Sequence, residues 1–148
     1  PWAEAYGKRN RGELYLLSDF SSVIDLSPTR LLAVGDEYKI MCLEKKLQKQ
    51  FGQSLHITRS LPTFCEILNP EAGKHKALEW LCSYLGIDDR ETVAFGNGYN
   101  DVHMLTWAGL GIAVEDSVQD VLNVADRIAP PLEEDGVAQI LEEFLRRS

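Results

Sequence analysis

Two glycines, two amides and one carboxylate fall within six consecutive positions, Gly96-Asn97-Gly98-Tyr99-Asn100-Asp101. A short apolar run, Thr92 to Phe95, precedes them. A segment follows in which Met104, Leu105 and Ala108 share the helical face of Asp101. Glycines at a strand-to-helix junction let the backbone turn tightly and approach a ligand closely. Asn100 and Asp101 then fall at a helix start, where unpaired N–H groups and the helix dipole favour an anion or a metal–phosphate pair. In parallel α/β sheets such ligands collect just beyond the carboxyl ends of strands. A simple helix cap after a glycine turn fits the spacing equally well. Lys74, beside Lys76, reads on residue type alone as a solvated lysine at a basic helix start.

The elements that must carry these residues divide into two patterns. Residues 2–10 form a short helix broken near Gly7 and Gly12, and Leu14 to Leu17 a short strand. Residues 30–34 form a strand, and Gly35-Asp36 turns the chain into a helix with Ile40, Leu43, Leu47 and Phe51 on one face. Gly52 stops it, and strands follow at about 55–59 and 63–68, with Pro62 in their connection. The order is β-α-β-β. After a seam near Asn69 to Gly73, strands and helices alternate. A helix from Lys74 to Leu85 turns Leu78, Leu81 and Leu85 inward and ends at Gly86. Strands at 92–95, 110–114 and 127–129 are interleaved with helices at 100–108 and 117–124. Asp135 caps a last helix with Val137, Ile140, Leu141, Phe144 and Leu145 in one apolar stripe. Alternation of this kind predicts an α/β fold with a parallel sheet covered on both faces.

Composition narrows the function. The 148 residues are 45% hydrophobic and 26% charged, ordinary for a soluble globular chain. A net charge of −8 argues against nucleic acid, which recruits basic surfaces. No apolar run approaches the ~20 residues of a membrane span, and no secretory signal opens the chain, so a cytoplasmic protein without a membrane partner is expected. Cys42, Cys65 and Cys82 include no CxxC pair and are expected to be reduced, half-buried thiols.

GNGYNDVHML followed by GLGIAV resembles the GDGxNDxxML…GxGxAM segment of Cof-type phosphatases, a branch of the haloacid dehalogenase superfamily. EILNPEAGKHKALEWLCSYLGI resembles that family's E-I-x-P-x-x-x-S-K-G-x-A-L segment, with Lys74 on its lysine. EEDGVAQILEEFL resembles its closing ExDGV helix. Residues 31–68 look like the last β-α-β-β of the cap that these enzymes insert over the active site. The resemblance spans roughly residues 30–145 in the family's order. It implies a haloacid-dehalogenase-like Rossmannoid sheet, present in part, with part of an α/β cap: residues 1–70 the cap portion, 71–148 the C-terminal half of the core.

What the resemblance implies for the residues is specific. Lys74 would neutralise the substrate phosphate and the attacking carboxylate. Asn100 would hydrogen-bond the phosphoryl oxygens, and Asp101 would hold the magnesium shell or orient Lys74. The implied activity is magnesium-dependent hydrolysis of phosphate monoesters of small metabolites, sugar phosphates above all, through an aspartyl-phosphate. Two departures qualify it. Asn97 stands where the family has its direct magnesium carboxylate, and an amide lacks the charge that magnesium prefers. The family's nucleophile motif, DxDGT after an apolar strand, is absent. Asp19 follows an apolar run but has Ser21 two positions on, and reads as a loop aspartate. The nucleophile is expected outside these residues, and the chain alone is expected to be inactive. The rival reading is a non-catalytic module that binds a phosphate ligand or a partner. His75, where the family has glycine, is expected to be exposed and not a ligand. Without the nucleophile strand, the 92–95 strand is expected to have an open edge, covered by a second copy, a companion N-terminal segment or a rearranged element.

Overall fold

The structure, a computed structural model, describes residues 6, 7, 13, 15–23 and 25–147. Most of the expected helix over 2–10 lies outside them, as does Leu14. Tyr15, Leu16 and Leu17 are exposed coil and pair with none of the strand edges, so the expected strand does not form. A short 3₁₀ turn, Ser21–Val23, follows.

The first unit is an antiparallel sheet with one helix on it. Strand β1 (Leu31–Val34) leads through Gly35 to Asp36, whose extended backbone and carboxylate cap helix α1 (Glu37–Phe51), accepting from the amide of Lys39 at 3.2 Å. Strands β2 (His56–Leu61) and β3 (Phe64–Leu68) form a hairpin through Pro62, and β3 lies centrally in the order β1-β3-β2. Alternate residues point to opposite faces. Ile57 and Cys65 accordingly pack with Ile40 and Leu43 beneath α1, while His56, Thr58 and Glu66 occupy the other face. The β2–β3 register slips between Arg59 and Leu61, a bulge of the kind that bends a strand and re-aims its side chains.

The second unit is parallel. Helix α2 (Lys74–Leu85) ends at Gly86 in the left-handed conformation (φ 69°), which glycine adopts without Cβ strain. Strands β4 (Val93–Gly96), β5 (Leu110–Val114) and β6 (Arg127–Ala129) lie in that order, all parallel. Helices α3 (Val102–Trp107) and α4 (Gln119–Val124) cover one face, where Leu105, Ala113 and Val121 are buried together. Helix α5 (Gly136–Arg147) covers the other, setting Ile140 and Phe144 against Ile112 and Val114. Burying side chains of this size contributes roughly 1.5–3 kcal/mol each.

Three expectations are corrected. Leu81 and Leu85 are 41% and 55% exposed, and Cys82 is the buried residue of α2. On α5, Leu141 and Leu145 are exposed and only part of the apolar stripe is used. Both faces exceed what this three-stranded sheet can cover. Asp135 takes a left-handed backbone (φ 55°) after the 3₁₀ turn Leu132–Glu134 and serves α5 through its carbonyl, which accepts from the Gln139 amide at 3.1 Å.

Candidate functional site

Parallel β4 ends at Gly96, and the chain turns at once into a 3₁₀ turn, Tyr99–Asp101, that runs into α3. Asn100 and Asp101 therefore sit in a tight turn before the α-helix and not in its first turn. The turn is tied from both sides. The Val118 amide donates to the Asn97 carbonyl at 3.1 Å, and the Asp101 amide to the Gly98 carbonyl at 2.9 Å. Gly96 admits the carboxylate: a Cβ there would lie 2.6 Å from the Cβ of Asp101 and 2.5 Å from Cδ1 of Leu105.

Asp101 is 3% exposed and fully engaged. Its Oδ1 accepts from Lys74 Nζ, and its Oδ2 from the amides of Asn97 (2.9 Å) and Gly98 (3.0 Å). Burial alone would push its pKa up. The lysine and the two amides outweigh burial and hold the carboxyl below its ordinary value. Lys74, at the start of α2 and 27 positions away in sequence, is half exposed. An ammonium has three donors, so two remain for a ligand. Lys74 and Asn100 line one cleft of about 250 Å³ with Ala72 and Gly73 of the seam and His56, Thr58, Glu66 and Leu68 of the first sheet. A larger groove, about 670 Å³ along Glu71, Lys76 and Trp80, contains none of Lys74, Asn100 or Asp101.

Asn97, expected as a metal ligand, has an exposed side chain and joins the network through its backbone. Asp101, its expected partner, has both oxygens committed to Lys74 and to amides. Among the described residues no three His, Cys, Asp or Glu side chains are placed to hold a metal. These residues do not make a magnesium site by themselves. Of the two roles that resemblance offered Asp101, the geometry is that of orienting Lys74. Asp19 is exposed, and its carboxylate accepts from the amide (2.7 Å) and hydroxyl of Ser21, which lowers its pKa within its own turn. His75 is half-buried, not exposed. Its ring stands 6.0 Å from that of His56 and 5.3 Å from that of His103. Burial first, then neighbouring rings and, for His75, Lys76, lower the pKa of His56 and His75.

Two features were missed in the sequence. The first is the cleft wall of His56, Thr58 and Glu66, which strand alternation could have placed on one face. The second is Arg59, 9% exposed, whose Nε donates to Glu44 of α1 at 2.7 Å while its guanidinium lies 3.8 Å from the centroid of the Tyr99 ring. An arginine on the parity of Ile57 was the available signal.

A parallel sheet with a tight turn at the end of a strand, roofed by a separate antiparallel sheet, defines the α/β class of the protein. The profile of the haloacid dehalogenase-like hydrolases matches residues 5–141, and the chain belongs to that family. A putative phosphatase of Haemophilus influenzae is 34% identical over 124 residues, covering 84% of this chain and 47% of that protein. A haloacid dehalogenase-like hydrolase from Bacteroides thetaiotaomicron superposes with a TM-score of 0.70 at 30% identity, over 97% of this chain and 54% of that one. A subclass IIB sugar phosphatase superposes with a TM-score of 0.65 at 27% identity, over 78% and 42%. The chain spans about half the length of the relatives it matches.

Proposed function

We propose that this chain is the phosphate-holding part of a phosphomonoester hydrolase for small phosphorylated metabolites, sugar phosphates being the favoured class. The observation that carries the reading is the Lys74–Asp101 pair beside Asn100, at the end of a parallel strand and under a polar roof. Phosphoryl transfer demands neutralised charge and fixed geometry around the moving group more than covalent help. Asp101 holds the Lys74 ammonium aimed. Lys74 offers its remaining N–H groups to a phosphoryl oxygen, and the Asn100 amide supplies another donor. The attacking carboxylate belongs to polypeptide outside these residues. Its oxygen bonds to phosphorus as the ester oxygen leaves and takes a proton, and water then cleaves the aspartyl-phosphate. Magnesium, which the family resemblance implies, would supply further neutralisation of charge. Among the described residues no helix is long and apolar enough to cross a membrane.

Asn97 at the position where the resemblance leads one to expect a carboxylate favours a second reading, a module that binds phosphate esters without cleaving them. Amide NMR of the chain titrated with inorganic phosphate tests what the two share. Shifts should cluster at Lys74 and residues 96–101, and Lys74→Ala should weaken binding about 10- to 100-fold, the scale of a charge-assisted hydrogen bond. Shifts elsewhere would sink both. p-Nitrophenyl phosphate then separates them. The chain alone should not turn it over. Adding the N-terminal half of the Haemophilus relative should restore hydrolysis if the chain serves an enzyme, and binding without hydrolysis selects the module.

A further inference from the structure

Arg59 is a buried charge with two partners of different kinds. It leaves β2 at the bulge, donates from Nε to Glu44 of α1, and lays its guanidinium face over Tyr99. Tyr99 opens the turn that contains Asn100 and Asp101, and its carbonyl accepts the Val102 amide that begins α3. Next along β2, the Ser60 carbonyl oxygen is 3.8 Å from where a Cβ on Gly98 would stand. The first sheet thus lies close to the turn at two successive residues, Gly98 and Tyr99. A buried ion pair is a poor device for stability, since desolvation offsets its attraction. An arginine paired at Nε, however, keeps a planar cationic face free, and such a face holds an aromatic ring in a fixed place.

We infer that Arg59 is a positioning residue for the phosphate site: set by Glu44, it holds the Tyr99 ring and through it the turn that places Asn100 and Asp101. The inference rests on the phosphate reading for its consequence, not for its geometry. The test uses the whole chain, with amide NMR of Asn97 and Gly98, the two backbone donors to Asp101, and the affinity for inorganic phosphate. Tyr99→Leu removes the ring's π face and keeps apolar bulk. It should shift both amides and weaken phosphate about five- to tenfold, a scale between that of an exposed and a desolvated cation–π contact. Tyr99→Phe keeps the face and should match wild type in both readouts. Arg59→Lys keeps the charge but not the plane and should fall between. It also supplies a second variant should Tyr99→Leu fail to fold. A merely structural contact predicts that Tyr99→Leu lowers the melting temperature while amides and affinity stay put. That result, or Tyr99→Phe losing as much as Tyr99→Leu, overturns the inference. If wild type does not bind phosphate at Lys74 but the amides still follow the ring, the phosphate reading falls and the positioning of the turn stands.

Discussion

Asp101 commits both carboxylate oxygens within the protein, so its ionisation is tied to stability as well as to the site. Burial opposes the charge, and Lys74 with the two amides more than reverses that, giving a folded-state pKa below the ordinary value. An unfolded aspartate titrates near ~3.9. The stabilisation is thus fully present above about pH 4 and is lost as pH falls toward the lower folded-state pKa. Asp101→Asn should cost about 1–3 kcal/mol at pH 7, a charged hydrogen-bond network being replaced by a neutral one. It should also flatten the loss of stability below about pH 4. Urea unfolding of both proteins from pH 7 to pH 3 measures this. Parallel curves for the two would show that the Lys74–Asp101 pair is not maintained in solution.

At the scale of elements, the junction of β4 with its turn works because nothing projects from Gly96. A Cβ there would lie within 2.6 Å of atoms of Asp101 and Leu105, and both are buried, so neither can withdraw cheaply. Gly96→Ala should destabilise by about 1–3 kcal/mol, the cost of overpacking a core. It should also displace Asp101 from the Asn97 and Gly98 amides. Gly35 is the control: the nearest atom to its added Cβ is a terminal carbon of Ile40 at 3.8 Å, an ordinary contact. Gly35→Ala should change stability by no more than about 0.5 kcal/mol. Thermal melts of the two variants decide, and equal losses would show that the clash at Gly96 is relieved by movement of the strand.

The whole molecule ends in an open side. Among the described residues β4 pairs with no strand but β5 and its Val93 is exposed; Leu81, Leu85 and the stacked rings of Trp80 and Tyr84 on α2 are exposed as well. A bare strand edge beside apolar surface is a template for another strand. The net charge of −8 slows association but leaves backbone donors unpaired. The chain is therefore expected to self-associate at micromolar concentration and to exchange that association for one-to-one binding when the N-terminal half of a relative is added. Native mass spectrometry and hydrogen exchange at Val93 and Phe95, whose amides face away from β5, follow both steps. A monomer whose β4 amides are protected without any partner would contradict the open edge.

How much of this was legible in the sequence follows from the range of each interaction. The order of elements was readable because helix and strand periodicities, Gly52 and Gly86 at helix ends and Pro62 in a hairpin are local matters. Lys74, Asn100 and Asp101 were reachable too, through a motif in which a few residues must meet one anion. Which leucines on α2 and α5 are covered was not readable, because a helix shows an apolar stripe without showing what packs on it. The sequence left two roles open for Asp101, and its pairing with Lys74 spans 27 positions and depends on where α2 starts relative to β4. The grip of Arg59 on Tyr99, the meeting of the three histidine rings and the polar roof of Glu66 and Thr58 all lie between the two sheets. Only the tertiary structure could decide them, because periodicity describes how a chain folds on itself and carries no information about how one folded unit is laid against another.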